Sequence, residues 1–322
     1  SNALAIRTPA GLVVHTGEWK IDPTPQVGLP TDVARLRALG EEGVLALICD
    51  STNVMRDGIS PSEADVAAKL KELIHSAPGR VAVTTFASNV ARLRAVAEAA
   101  MADQREVVVV GRAMDRVIDV ARECGYLDGI PGFRPVDAYG YLPRDKVVAL
   151  VTGSQGEPRA ALSRIASDDH PEIALSPGDR VIFSSRTIPG NEKAVGNILN
   201  ALARDKIEII TDRTHLVHVS GHPRREEMAR LYGWLKPQIA IPAHGEDLHL
   251  AEHETFARSL GVKHVLRAGN GDVVAISGEG ARKVDEVQHG RLYQDGSLLV
   301  NALERTIQER RRLSFAGIVS IA

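Results

Sequence analysis

The chain has 322 residues, enough for one large or two modest domains with a sizeable core. Its formal charge of −2 excludes a general attraction to nucleic acid, so any site for a polyanion must be a local patch. Two cysteines, Cys49 and Cys124, exclude a disulfide framework and fit a reducing, cytoplasmic compartment. No stretch has the length and apolar character of a transmembrane helix, so we expect no membrane contact.

Three strands are predicted near the start of the chain, at 5–8, 11–15 and 43–49, from their apolar runs and the turns between them. A carboxylate follows each of the last two. Glu18 could ligate a metal, although a solvated turn acid is the commoner role for such a residue. Asp50 could cap the following turn or orient a catalytic histidine, and the local pattern leaves both interpretations open.

Helices and apolar strands then alternate, which predicts a parallel sheet covered on both faces. The predicted strands lie at 80–85, 106–110, 146–151 and 180–185. The helix before the first of them is predicted to begin with Ser60 as N-cap and Pro61 in its first turn. Small polar residues follow each strand, so we expect these loops to form the rim of a groove for a polyanion.

The stretch from His215 to Glu246 is the one around which the chain is organised. It reads as a strand-like piece ending in HVSGH, a helix after Pro223, and a short strand ending at His244. A strand, a helix and a second strand would bring His222 and His244 to one edge of a sheet, where α/β folds commonly place catalytic groups. For either histidine alone a satisfied turn residue is the simpler interpretation. The pair, with glycine at each turn, indicates function.

The chain after Glu246 carries weaker signals. His249 and His253 are spaced i,i+4 on a predicted helix and could bind a metal from one face, but no third ligand accompanies them. We therefore expect a solvated pair. A charged run extends from Glu304 to Arg312, and an apolar strand is predicted at 317–321.

Seven segments carry a resemblance to a known family, and they occur in one order. They are HTGEWKIDPTP, LICDSTNVMRDGISPSE, GRVAVTTFASNVARL, TGSQGEPRAALSRIA, VIFSSRTIPGNE, HVSGH and PAHGE. Together they closely resemble the ribonuclease J family, nucleases of the metallo-β-lactamase fold and β-CASP group. The resemblance implies an α/β chain: a partial metallo-β-lactamase αββα fold with an inserted β-CASP domain, a parallel sheet flanked by helices.

The resemblance also implies domain boundaries. Residues 1–53 and 206–280 would form the partial metallo-β-lactamase-like domain, and 54–205 the β-CASP domain. Residues 281–322 would be a linker and the start of a C-terminal module.

Site residues carry over from the family motifs. In the family the carboxylate after HTG bridges two zinc ions and the histidine of P-x-H-G-E ligates one, which implies metal roles for Glu18 and His244. Asp50 matches the acid that supports catalysis, and His222 the histidine that faces the scissile phosphate. The groups that hold the 5′-terminal phosphate match Ser185, His218 and Ser220.

Two departures from the family pattern matter. The family usually has Asp where this chain has Glu18, and the extra methylene would shift a bridging carboxylate. The H-x-H-x-D-H motif, which supplies most zinc ligands, does not occur in the sequence. We therefore expect an inactive piece of a longer protein, with its two zinc ions absent or incomplete.

The longer protein would be a zinc-dependent 5′→3′ exoribonuclease and endoribonuclease. It would act in cytoplasmic RNA maturation and decay, including rRNA processing, and as a homo-oligomer. Its partner would be single-stranded RNA with a 5′-monophosphate. Two alternatives remain open: a non-catalytic RNA-binding or scaffold protein, and a nuclease of the same fold that acts on DNA.

Overall fold

The structure is a computed structural model that describes residues 2–302 and 304–316. The apolar strand predicted at 317–321 lies outside the described residues. Within them, no helix is long and apolar enough to cross a membrane.

Strands and helices alternate through most of the chain, and the predicted mixed α/β class is confirmed. The strands are β1 (Leu4–Thr8), β2 (Gly11–His15), β3 (Val44–Asp50), β4 (Val81–Thr84), β5 (Glu106–Val110), β6 (Val147–Val151), β7 (Arg180–Phe183), β8 (Glu208–Ile210), β9 (Ile239–Ala243), β10 (His264–Val265), β11 (Asp272–Ser277), β12 (Gly280–Glu286), β13 (Leu292–Asp295) and β14 (Leu298–Asn301). The helices are α1 (Val33–Glu42), α2 (Glu63–His75), α3 (Val90–Ala102), α4 (Arg112–Glu123), α5 (Ala161–Ala166), α6 (Glu192–Arg204), α7 (Arg225–Leu235), α8 (Asp247–Ser259) and α9 (Arg305–Ala316). The charged run predicted from Glu304 lies mostly on α9.

The backbone packs into two compact units. The first unit contains the chain up to Glu18, Arg35–Met55 and the chain from Ala229 onward. The second unit contains Trp19–Ala34 and Arg56–Met228. A long insertion therefore interrupts the first unit between β3 and β9.

The first unit is built on a five-stranded sheet of order β1-β2-β3-β9-β10. β1 and β2 form an antiparallel hairpin, whereas β2, β3, β9 and β10 run parallel. The apolar side chains of these strands form its core: Val13, Leu45, Ala46, Ile239 and Ile241. Because parallel strands end at the same edge, the residues that follow β2, β3 and β9 meet there.

The second unit is built on a parallel five-stranded sheet of order β5-β6-β4-β7-β8. Successive residues of each strand enter different cores, as the period of two requires. Val107 and Val109 pack with α2 and α3 on one face, while Val108 and Val110 pack with α5 and α6 on the other. The predicted parallel sheet covered on both faces is confirmed.

Helix α2 begins two residues later than predicted. Ser62, not Ser60, is its N-cap: its hydroxyl accepts from Ala64 N, and Asp65 accepts from Ser62 N to complete a capping box. The backbone amide of Ser60 instead donates to the Glu227 carboxylate at 2.8 Å. Glu227, which is distant in the sequence, therefore determines which of the two serines is the N-cap of α2.

The second unit, as the backbone packs, continues along the chain to Met228. β8 pairs in parallel with β7, from Arg180 opposite Glu208 to Ile182 opposite Ile210, which places residues beyond 206 in this sheet. The segment Trp19–Ala34 joins the same unit. The domain names given above stay a prediction.

The HVSGH segment is not a strand of either sheet, contrary to prediction. Val217 and Val219 are nevertheless buried in the core of the second unit, while His218 and Ser220 are half-buried. Buried and half-buried side chains therefore alternate as in an extended strand, although the segment does not pair with a strand of either sheet. His244 follows β9 as predicted, and His222 lies in the bend that ends the HVSGH segment.

Candidate metal centre and phosphate pocket

Glu18 and His244 meet at the carboxyl edge of the first unit. His244 Nε2 lies 2.9 Å from Glu18 Oε1, and both side chains are about half exposed to solvent, at 49 and 62 %. They line an open cavity of about 430 Å³ with His15, Cys49 and Asp50. The two predicted metal ligands are thus brought together by the segments that follow β2 and β9.

Asp50 faces the other nitrogen of the same ring. Its Oδ1 lies 3.6 Å from His244 Nδ1, and the hydroxyl of Thr52 lies between them, 2.7 Å from Asp50 Oδ1 and 2.9 Å from Nδ1. When the hydroxyl donates to Asp50, it accepts from Nδ1–H, which leaves Nε2 as the lone-pair nitrogen. A carboxylate acting on the far nitrogen of a histidine is the usual support of a metal ligand.

The backbone at His244 has a conformation that few residues other than glycine adopt. Its φ of +54° lies in the left-handed region, which costs about 1 kcal/mol or more for a residue with a side chain. The His244 carbonyl accepts from Ser51 N at 3.3 Å and is 3.0 Å from the Thr52 hydroxyl. These contacts turn the imidazole toward Glu18.

The pair of Glu18 and His244 fits a divalent cation. A carboxylate oxygen and a lone-pair nitrogen 2.9 Å apart repel one another unless a proton or a cation lies between them. Bonds of about 2.0–2.1 Å place neighbouring ligand atoms of tetrahedral zinc roughly 3.3 Å apart, so a shift of a few tenths of an ångström suffices. Nitrogen and carboxylate oxygen are also donors that zinc accepts.

A buried arginine organises the corresponding edge of the second unit. Arg92 is 0 % exposed, and it donates to the Ser184 carbonyl at 3.0 Å, the Val217 carbonyl at 2.7 Å and Glu63 Oε2 at 2.8 Å. The hydroxyl of Ser184 also contacts the guanidinium and donates to Val217 O. Arg92 therefore fixes the segment after β7 against the HVSGH segment, next to Ser185.

His218 is held uncharged beside this arginine. Burial, followed by the positive charges of Arg92, Arg186 and Lys20, lowers the pKa of His218 to about 3, against a raising contribution from its bond to the Ser184 backbone. Among the described residues its buried Nδ1 has no hydrogen-bond partner. A neutral imidazole among cationic neighbours favours an anion in the space it faces.

The loops that follow β6 and β7 are tied together by one side chain. Gln155 donates to the Arg186 carbonyl at 3.0 Å and accepts from Ile188 N at 2.8 Å and Asn191 Nδ2 at 3.3 Å. Ser185 lies in the second of these loops and is 5 % exposed. The predicted rim of polar loops at the carboxyl edge is present, and buried hydrogen bonds hold it.

The HVSGH turn is fixed by its own hydroxyl and by a buried acid. Ser220 Oγ accepts from His222 N at 3.3 Å, and the His222 carbonyl accepts from the Ser60 hydroxyl at 3.2 Å. Glu227 is 0 % exposed and accepts from Ser60 N at 2.8 Å, Arg224 N at 2.9 Å and Ile21 N at 2.8 Å. Glu227 thus holds Arg224, two residues after His222, and Ser60, whose hydroxyl donates to the His222 carbonyl.

Two protein-family models match parts of this chain. Residues 78–202 match the family model described as ribonuclease J, beta-CASP domain, and residues 206–266 match the Zn-dependent metallo-hydrolase RNA specificity domain. Ribonuclease J of Sinorhizobium meliloti is 54 % identical over 99 % of this chain and 57 % of its own length. The chain belongs to the ribonuclease J family.

Other members of the ribonuclease J family are less similar but match over the same extent. The proteins of Corynebacterium glutamicum and Thermus thermophilus are 42 and 39 % identical over 99 and 100 % of this chain. The match covers 45 and 56 % of their own lengths. The chain thus spans about half the length of the curated relatives it matches.

His249 and His253 are not the solvated pair that the sequence predicted. His253 is 0 % exposed: its Nδ1 lies 2.8 Å from Ser51 Oγ and its Nε2 2.8 Å from the Tyr232 hydroxyl. His249 accepts from Glu246 N at 3.1 Å at the start of α8. The prediction was wrong for His253 because α7 supplies a buried partner that helical spacing does not reveal.

Three residues of this ribonuclease J-family chain were missed by the sequence analysis. They are Thr52, which contacts Asp50 and His244 directly, and Arg92 and Glu227, which hold backbone groups near His218 and His222. Thr52 belongs to the polar turn after β3, in which the sequence pattern pointed only to Asp50 as a functional residue. Arg92 and Glu227 lie on helices, where a charged residue is normally solvated, so no local signal marks them.

Proposed function

We propose that this chain is part of a zinc-dependent ribonuclease that degrades RNA in the 5′→3′ direction and also cuts internally. The observation that carries the proposal is the meeting of Glu18 and His244 at the edge of the first unit, with Asp50 and Thr52 behind the imidazole. Membership of the ribonuclease J family supports the reaction class.

Glu18 and His244 would hold zinc in this proposal. A bound zinc ion supplies a water molecule that ionises near neutral pH and a positive charge that stabilises the phosphorane-like transition state. The residues of this chain orient that site: Asp50 and Thr52 keep His244 Nε2 available as a ligand. The description of the matched family as a Zn-dependent metallo-hydrolase supports zinc.

Ser185, His218 and Ser220 would hold the 5′-terminal phosphate. Hydroxyls and a neutral imidazole donate hydrogen bonds, and the charges of Arg92 and Arg186 make the surroundings positive. A triphosphate would overfill a site built for one phosphate, so the preferred substrate is 5′-monophosphorylated single-stranded RNA. His222 would stabilise or protonate the departing oxygen.

RNA is favoured over DNA because the second matched family is described as an RNA specificity domain. Within the described residues neither Cys49 nor Cys124 forms a disulfide, which supports the cytoplasm as the compartment. Homo-oligomerisation and a role in RNA maturation and decay follow from the resemblance to the family. The same features would serve a non-catalytic RNA-binding protein, except for the paired Glu18 and His244.

The test is a nuclease assay on the longer protein that contains this chain and the full ligand set. We expect cleavage of 5′-monophosphorylated RNA, no cleavage of the matched DNA oligonucleotide, and loss of activity on chelation or His244→Ala. RNA binding without turnover would establish the scaffold alternative, and equal cleavage of DNA would overturn the choice of substrate.

The 322-residue chain alone should bind fewer than two zinc ions. Two four-coordinate ions need about eight donor atoms, whereas Glu18 and His244 together offer three. We therefore expect elemental analysis after dialysis to find less than two zinc ions per chain, and no metal-dependent RNA cleavage. Two retained ions, lost on His244→Ala, would show that other residues complete the site.

A further inference from the structure

A row of three hydrogen-bonded side chains lies behind the candidate metal site in the first unit. Ser51 Oγ is 2.8 Å from His253 Nδ1, and His253 Nε2 is 2.8 Å from the Tyr232 hydroxyl. The rings of Tyr232 and His253 meet edge to face, with centroids 5.8 Å apart. The row joins helices α7 and α8 to the turn after β3.

All three members of this row are buried. Ser51 and His253 are 0 % exposed and Tyr232 is 4 % exposed. A neutral imidazole has one donor and one acceptor nitrogen, so it can donate to one hydroxyl and accept from the other. Both ring nitrogens of His253 are therefore satisfied without any charge, and both hydrogen bonds lie in a buried environment of low dielectric constant, which strengthens them.

Ser51 connects this row to both strand ends that carry the site. It directly follows Asp50, and its backbone amide donates to the Ala243 carbonyl at 2.9 Å and the His244 carbonyl at 3.3 Å. A Cβ added at Gly245 would lie 3.4 Å from Ser51 Cβ and 2.9 Å from His249 Cβ, so the two turns pack closely. A displacement of Ser51 would thus move Asp50 and His244 together.

His244 needs such support because its φ of +54° is unfavourable for a residue with a side chain. A strained backbone persists only where its surroundings determine it. We propose that Ser51, His253 and Tyr232 are positioning residues, which hold the turns after β3 and β9 so that Asp50 and the His244 imidazole keep the geometry needed to bind a metal. The consequence for metal binding rests on the proposed function, whereas the consequence for the two turns does not.

The test uses the 322-residue chain and two conservative variants, Ser51→Ala and Tyr232→Phe. Tyr139→Phe is the matched control, because Tyr139 is 2 % exposed and its hydroxyl donates to Ala174 O at 2.9 Å within the second unit. The readouts are the backbone amide NMR signals of residues 50–52 and 243–246, the midpoint of thermal unfolding, and the Kd for Zn²⁺ by competition with a chromophoric chelator.

Both variants should shift the amide signals of the two turns and speed their hydrogen exchange, whereas Tyr139→Phe should not. Ser51→Ala should raise the Kd for Zn²⁺ roughly 10-fold, as loss of an outer support of a metal ligand does. Lower thermal stability with unchanged signals at 50–52 and 243–246 would show that the three residues stabilise the fold without positioning the two turns, which would overturn the proposal. Shifted signals in a chain that binds no Zn²⁺ would support the positioning role and contradict the proposed metal site.

Discussion

The carboxyl edges of the parallel strands in the two units carry opposite chemistry. At the edge of the first unit two carboxylates flank an imidazole, in the form of Glu18, Asp50 and His244. At the edge of the second unit a buried guanidinium lies beside an uncharged imidazole, in the form of Arg92 and His218. The carboxyl edge therefore suits a cation in the first unit and an anion in the second, because the charges beside the two imidazoles have opposite signs.

The largest expected effect concerns His222, which would act in the reaction, whereas His218 and Ser220 beside it would bind the terminal phosphate. In the longer protein, His222→Ala should lower both exonucleolytic and internal cleavage by roughly 10²–10⁴-fold, the usual cost of losing a positioned acid or base. His215→Ala is the matched control, since His215 lies in the same loop and its Nδ1 contacts Thr214 Oγ1 at 3.1 Å. Single-turnover rates on labelled RNA measure both. A variant that spares either kind of cleavage would contradict the role of His222.

The next effect concerns the buried charge that distinguishes the second edge. Arg92→Met removes the guanidinium partner of the Glu63 carboxylate and one donor from each of the Ser184 and Val217 carbonyls, so we expect a loss of ~3–5 kcal/mol in the free energy of unfolding. Arg134→Met is the control: that pair with Glu106 is half exposed and should contribute less than about 1 kcal/mol. Urea denaturation followed by circular dichroism measures both, and equal losses would show that Arg92 does not organise the unit.

The two edges share a dependence on pH through their buried histidines. Burial lowers the pKa of His253 to about 4 and, with nearby cations, that of His218 to about 3. In the unfolded chain these histidines bind protons with a pKa near 6.5, whereas in the folded chain they stay neutral to much lower pH. Their contribution to the free energy of unfolding is therefore fully present above pH 6.5 and falls as the pH is lowered below it. We expect a loss of ~2 kcal/mol between pH 6.5 and pH 5.5, from about 1.4 kcal/mol per proton and pH unit.

The variant His253→Gln isolates one of the two contributions. It should make the fall in unfolding free energy between pH 6.5 and pH 5.5 about half as steep. Chemical denaturation at several pH values measures the slope, which does not depend on the variant's overall stability. An unchanged slope would mean that His253 is protonated in the folded chain.

The sequence predicted the fold well where the signal is local. Apolar runs such as 106–110 and 146–151 are typical of strands buried on both faces, and the turn at His244 ends a short apolar strand. Contacts between distant residues were out of reach. Ser62 rather than Ser60 is the N-cap of α2, because the backbone amide of Ser60 is bound by Glu227. The pairing of β8 with β7 has no signal in the three residues of β8.

The same limit applies to the candidate sites. Glu18 and His244 follow strands and match long motifs, so the sequence predicted both as site residues, and the structure places them 2.9 Å apart. His253 was misjudged because its burial depends on Tyr232, 21 residues away, and Arg92 was missed because its partners lie up to 125 residues along the chain. Side chains that support a site through other residues need the packed structure to be recognised.

The most direct test of the contrast between the two edges is the ratio of exonucleolytic to internal cleavage in the longer protein. Ser220→Ala should lower that ratio roughly 10-fold on 5′-monophosphorylated RNA, because about 1.4 kcal/mol of hydrogen bonding to the terminal phosphate is lost while internal cleavage needs no terminal phosphate. His244→Ala should abolish both activities in the same assay. A Ser220→Ala variant that lowers both activities equally would contradict the assignment of metal chemistry to one edge and phosphate binding to the other.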